Sequence, residues 1–130
     1  MVSLVGRWIP EESYGCESVI DKIGVDSRMK NLMLSTNPTL TFTLVDNDSM
    51  KIKVESEIRN YEISFKFGEE YDDDTIFGIK CKSLCRKLSD NKILITQRLP
   101  NGIIEVDHKV NGNIITMVTD NNLLQYPVRY

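Results

Sequence analysis

A chain of 130 residues, 41% hydrophobic and 27% charged, can bury one sizeable core and leaves no room for a second folding unit. Its net charge is −3 and its 16 Lys and Arg residues are scattered, which excludes the basic footprint that nucleic-acid binding requires. Arg7 and Trp8 interrupt the N-terminal stretch before a secretory core can form, and no later apolar run approaches membrane-span length, so one soluble, cytoplasmic domain over residues 1–130 is expected.

In chain order, residues 4–11 read as a first strand, where Pro10 removes a ladder donor and implies a bulge or an edge. Residues 15–34 break the strand rhythm. Val19, Ile20 and Ile23, then Met29, Leu32 and Met33, fall at helical spacing on either side of Gly24, the pattern of a helix-turn-helix. From Pro38 onward one device repeats, a short alternating run closed by an Asn, Asp or Gly turn. Leu40, Phe42 and Leu44 alternate with threonines, and after Asp46-Asn47-Asp48 the residues Met50, Ile52 and Val54 alternate with Lys51, Lys53 and Glu55. The alternation returns in Tyr61, Ile63, Phe65 and Phe67, and again in Ile104, Val106, His108 and Val110. Turn signals stand at Gly68, Asp90-Asn91, Asn101-Gly102, Asn111-Gly112 and Asn121-Asn122. Ten strands are predicted. Short strands with tight turns leave a sandwich or a barrel, and a closed barrel of this size encloses a cavity that two helices could cap.

Two features carry less than they suggest. The run Glu69-Glu70-Tyr71-Asp72-Asp73-Asp74 lacks the alternating spacing and closing Glu of an EF-hand, and reads as a solvated strand end. Cys81 and Cys85 lie four residues apart on one predicted strand, about 13 Å, whereas a disulfide needs Cα atoms within about 7 Å, so they read as free thiols. With Cys16 they form neither a CxxC pair nor a set completed by a second histidine, and no metal or other cofactor is expected.

Particular residues carry a family likeness. Gly6-Arg7-Trp8, followed by Glu17, Val19-Ile20 and Lys22-Ile23-Gly24-Val25, resembles the N-terminal signature of the intracellular lipid-binding proteins, the fatty-acid-binding and retinoid-binding type. Pro38-Thr39, Glu55-Ser56 and the block Asn60-Tyr61-Glu62-Ile63-Ser64-Phe65-Lys66-Phe67-Gly68-Glu69-Glu70-Tyr71-Asp72 fit the same pattern, and Lys82-Ser83, Gln97 and Asn111-Gly112 hold the register toward the C-terminus. The resemblance implies a ten-stranded antiparallel up-and-down β-barrel capped by a helix-turn-helix lid. Pro10 and Cys16 depart from it, standing where the family usually has an aliphatic residue and a phenylalanine.

The resemblance also implies a site. Members that bind fatty acids hold the carboxylate with two interior arginines and a tyrosine near the chain end. In this register the arginine positions hold His108 and Val128, the tyrosine is Tyr130, and Gln97 belongs to the same head-group region. Parity supports this, because Leu124, Tyr126, Val128 and Tyr130 form the apolar set of the last strand and leave Arg129 outward. A guanidinium stays charged. Histidine, with an ordinary pKa of about 6.5, suits a hydroxyl, ester, amide or neutral acid, and suits a carboxylate only when protonated. Cavity and portal would be built by Cys16, Val19, Ile20, Val25, Met29 and Met33 from the lid. The strands would add Pro38, Leu40, Val54, Ser56, Val106 and Met117, and the mouth Ile58, Ile76, Phe77 and Ile79. Phe77 and Ile79 replace an inward acid and an inward arginine of the family, so a more apolar cavity is expected. On residue type alone Met29, Met33, Ile58 and Phe77 are core packing; the portal position makes them a flexible apolar gate.

The implied function is a cytosolic, monomeric, non-enzymatic carrier of a long-chain fatty acid or similar hydrophobic ligand, for transport and buffering. Alternatives are a carrier of a neutral or retinoid-like lipid and a ligand-regulated interaction module. An enzyme with His108 as general base would need a partnered nucleophile or acid, and the sequence shows neither. Lys22, Arg28 and Lys30 would give the lid transient contact with anionic membranes, diluted by Asp21 and Asp26.

Overall fold

The computed structural model describes residues 4–9, 26–28, 31, 38–57, 59–74, 80–99, 102–119 and 122–127. Within them the period-two alternation becomes ten strands: β1 (Gly6–Trp8), β2 (Thr39–Leu44), β3 (Ser49–Glu55), β4 (Asn60–Lys66), β5 (Glu70–Asp73), β6 (Cys81–Ser89), β7 (Lys92–Leu99), β8 (Gly102–Asn111), β9 (Ile114–Thr119) and β10 (Asn122–Pro127). Each pairs antiparallel with its successor in sequence, except where β4 gives way to β5. The result is a four-stranded sheet, β1 to β4, and a six-stranded sheet, β5 to β10.

The first strand is shorter than the sequence pattern predicts. Leu4 lies before β1, its carbonyl accepting a 3.0 Å hydrogen bond from Trp8 Nε1, so the indole is satisfied while fully buried. The predicted helical pair, and the consequences expected of Pro10, fall outside the described residues apart from positions 26–28 and 31.

Turn chemistry sets the register. Asp46 Oδ1 accepts from Asp48 N at 2.8 Å between β2 and β3. Gly112, at φ +59°, takes the left-handed conformation that the two-residue link from β8 to β9 demands. Between β3 and β4, Ser56 Oγ accepts from Arg59 N and donates to Arg59 O, and Asn60 Oδ1 accepts from Ser56 N.

Inward residues of the two sheets meet in one apolar cluster. Trp8, Phe42, Met50 and Phe65 come from the first sheet; Cys85, Ile93, Ile95, Val110, Ile115 and Met117 come from the second. At about 1.5–3 kcal/mol for each large apolar side chain removed from water, this cluster is the principal driving force for folding. Phe65 on β4 stacks on Tyr71 of β5 with ring centroids 4.5 Å apart, spanning the place where strand pairing lapses.

Candidate functional site

The inward face of the six-stranded sheet changes character along its length. At one end, cross-strand register puts His108 between Ile93 and Met117, and its ring meets Phe42 of the opposite sheet edge-on at 6.2 Å. The side chain is buried. Nδ1 donates to the Val106 carbonyl at 3.2 Å, which fixes the tautomer and leaves Nε2 as an acceptor. Burial lowers the imidazole pKa to about 4, with the Val106 carbonyl and Asp107 opposing the shift weakly. His108 is thus neutral at physiological pH and stays so well below the ordinary histidine pKa.

At the other end, register aligns Tyr71, Ser83, Gln97 and Ile104 across β5 to β8. Gln97 sits in this row, four residues along β7 from the position opposite His108, about 13 Å at normal strand rise. It thus does not join His108, although the sequence placed both in one head-group region. Its Nε2 donates at 3.2 Å to Asp73 Oδ2, which also accepts from Ser83 Oγ at 2.6 Å, while Asp73 Oδ1 accepts from Asp74 N at 2.7 Å. Cys81 Sγ lies 3.9 Å from Ser83 Oγ.

Glu69, Glu70 and Asp72 are exposed, as a solvated strand end requires, but Asp73 and Asp74 are buried, which corrects that reading for the last two residues of the run. Strand parity is the reason for Asp73, because Tyr71 points inward and Asp73, two residues on, must point the same way, whereas Asp74 lies just beyond β5 and is paired with Arg59 and Lys80. That parity was the signal in the sequence; the run of acids obscured it. Asp74 accepts from Arg59 at 2.7 Å and from Lys80 at 2.6 Å, joining the β3–β4 turn to the start of β6, and the Arg59 guanidinium lies 5.1 Å from the Tyr61 ring centroid.

An open pocket of about 670 Å³ lies where β4 and β5 diverge, lined by the buried Asp73, Cys81 and Leu99 and by the exposed Asp72, Lys82 and Arg98. Tyr61 and Tyr71 have pKa values raised above the ordinary phenol range, chiefly by burial with Asp73 adding to the effect. Both described thiols are free and buried; burial pushes Cys85 up to about 12 and raises Cys81 less.

Of the other residues expected in the cavity, Val54 and Met117 are buried, Leu40 and Val106 pack half-buried against the core cluster, and Pro38 is half-buried. The Ser56 hydroxyl serves its own turn. Tyr130, Val128, Cys16, Val19, Ile20, Val25, Met29, Met33, Ile58, Ile76, Phe77 and Ile79 lie outside the described residues.

No family model matches the chain. It is 36% identical over 120 residues to the 14 kDa fatty acid-binding protein of Schistosoma mansoni, covering 92% of this chain and 90% of that protein. It is 32% identical over 104 residues to cellular retinoic acid-binding protein 2 of Rattus norvegicus, covering 78% of this chain and 75% of that one. Among solved structures, a Schistosoma mansoni fatty acid binding protein in complex with arachidonic acid matches with a TM-score of 0.87 at 31% identity, over 100% of this chain and 98% of that chain. Identity at that level over nearly the whole length, on the same β architecture, means that this chain belongs to the intracellular lipid-binding protein family.

Proposed function

We propose that this protein is a cytosolic, monomeric, non-enzymatic carrier that holds a long-chain fatty acid or similar hydrophobic ligand inside a ten-stranded barrel capped by a helix-turn-helix. The observation that carries this is the inward face shared by the two sheets, where apolar side chains from both meet in one cluster. Closure of the two sheets would also satisfy the ladder groups of their terminal strands, which an open arrangement leaves exposed. Relatives named for fatty acid and retinoic acid binding support the same class of ligand. In the barrel, Tyr130, Val128 and His108 would lie at the deep end, and Met29, Met33, Ile58 and Phe77 would form the portal.

A second reading, a neutral lipid in place of an acid anion, is favoured by the charge on the inward face. The buried polar side chains among the described residues are Asp73, Asp74, Ser83 and His108, which include acids and a neutral imidazole but no lysine or arginine. Titration of delipidated protein with an environment-sensitive fluorescent fatty acid and its neutral ester tests the carrier function. Binding of either at about micromolar affinity or better is expected, since each buried CH₂ contributes about 0.8 kcal/mol before association costs. Failure of both to bind a folded sample would remove the carrier reading. Acyl esters should undergo no turnover, because the described surroundings of His108 supply a carbonyl and a phenyl ring where a general base would need a nucleophile.

A further inference from the structure

Two serines of β6 each follow a pair of basic residues, and the fold treats them oppositely. Ser83 follows Lys80 and Lys82, but it is buried and its hydroxyl donates to Asp73 Oδ2 at 2.6 Å. Ser89 follows Arg86 and Lys87, and every residue from Arg86 to Asp90 is exposed. Strand β5 pairs with β6 over Cys81 to Leu84, and Gly68 N donates to the Cys85 carbonyl just beyond. Past that point β6 has no strand partner on that side among the described residues, so Arg86 to Ser89 run as an edge. The ladder to β7 is interrupted in the same place. Its register shifts between Lys87 and Ser89, leaving Leu88 as the extra residue, 51% exposed. Ser89 ends the pairing opposite Lys92, and its hydroxyl donates to Asn91 Oδ1 at 2.8 Å in an exposed turn. Among the described residues Arg86 and Lys87 make no ion pair.

A protein kinase selects substrates by charge pattern and must receive the acceptor serine on an exposed, extended segment. Arg86 and Lys87, three and two residues before Ser89, supply uncommitted cations, and the bulged edge can be lifted with few ladder bonds broken. We propose that Ser89 is a phosphorylation site for a serine kinase whose substrate groove is acidic. Ser89 Oγ attacks the γ-phosphorus of ATP, the bond from that phosphorus to the β–γ bridging oxygen breaks, ADP leaves, and the hydroxyl proton passes to the kinase's carboxylate base. The new phosphate carries a charge of about −2 and no longer donates to Asn91 Oδ1. It stands opposite Lys92, whose present ion partner is Asp107 at 3.2 Å. Arg86, Lys87 and Lys92 offset the neighbouring Asp90 and Asp107, so the dianion is held rather than expelled. The site is independent of what the inward face holds and asks only for a compartment that supplies ATP.

The test incubates the folded full chain with ATP and the catalytic subunit of an arginine-directed serine kinase, and locates the phosphate by intact mass and fragment-ion spectra. One phosphoryl group per chain is expected, on Ser89. Ser89→Ala should abolish the incorporation. Arg86→Gln, which keeps the acceptor, should slow it by about tenfold or more, because a charge-assisted contact to the kinase is lost. A synthetic peptide of residues 83–93 serves as the unfolded reference, and the folded chain should be modified at a rate within about tenfold of it, since lifting an edge requires only local opening. A peptide that is phosphorylated while the folded chain is not shows that the fold shields Ser89, and overturns the site. So does a phosphate placed elsewhere with Ser89 unmodified, a rate unchanged in Arg86→Gln, or no incorporation into either the peptide or the chain.

Discussion

The two ends of the six-stranded sheet bury polar groups in opposite ways. Around His108 a single polar ring is set among Phe42, Ile93 and Met117, makes one hydrogen bond within its own strand, and responds to burial by staying uncharged. Around Asp73 a carboxylate is buried together with its donors, from the next residue and from strands β6 and β7. A lone polar group in an apolar setting gives up its charge; a group surrounded by donors can be satisfied in place. The first arrangement is tied to packing across the two sheets, and the second to hydrogen bonds within one sheet.

The largest expected effect comes from breaking the packed end. Trp8→Ala removes a fully buried indole and orphans the Leu4 carbonyl, and Phe42→Ala removes the ring that faces His108; each should lower unfolding stability by about 3–5 kcal/mol. Urea denaturation followed by intrinsic fluorescence measures this for Phe42→Ala, and circular dichroism for Trp8→Ala. A loss of under about 1 kcal/mol would mean that the cluster is not the folding core.

Acid sharpens the comparison next. The folded histidine titrates near pH 4 and the unfolded one near its ordinary pKa of about 6.5, so below the latter the unfolded chain holds more protons. The contribution of His108 should be constant above pH 6.5 and decline as pH falls toward 4, by on the order of 3 kcal/mol in total. Subtracting the pH profile of His108→Leu isolates this group from the carboxylates. If the two profiles run parallel between pH 6.5 and 4, His108 is not buried neutral.

What the sequence made legible follows the same division. Alternation in β2, β3, β4 and β8 was readable because apolar and polar residues trade places strictly, and Asn111-Gly112 announced its turn by chemistry. His108 was readable as inward for the same reason. The Asp73 cluster was not, because six successive polar or aromatic residues from Glu69 to Asp74 look solvent-directed on composition, and their partners lie 10 and 24 positions away. Periodicity reveals which face a residue joins, but not which distant donors meet it there. Gln97 shows the limit, with its inward parity legible and its neighbour not.

A smaller change is expected at the donor-rich end. Ser83→Ala removes the 2.6 Å donor to Asp73 Oδ2 and leaves Gln97 and Asp74 N in place, so stability should fall by about 1–3 kcal/mol. Gln97→Leu should cost less than Ser83→Ala, since its bond is longer at 3.2 Å and its side chain is only half-buried. The reverse order, measured by thermal denaturation at one pH, would show that Ser83 is not the principal support of the carboxylate.

The smallest effect is expected on the outer face, where charge is paired but wet. Lys51 on β3 and Glu62 on β4 approach to 3.9 Å with side chains 39% and 51% exposed, and Lys53, not Lys51, stands directly opposite Glu62. Two flexible side chains must be ordered to make a contact that water and salt largely screen, so the net gain is close to zero. Lys51→Ala should therefore shift stability by less than about 0.5 kcal/mol, and added salt should erase even that. A loss comparable to Ser83→Ala, persisting at high salt, would place this pair in the same class as the buried donors. It would also break the distinction between charge held inside the sheet and charge carried on its surface.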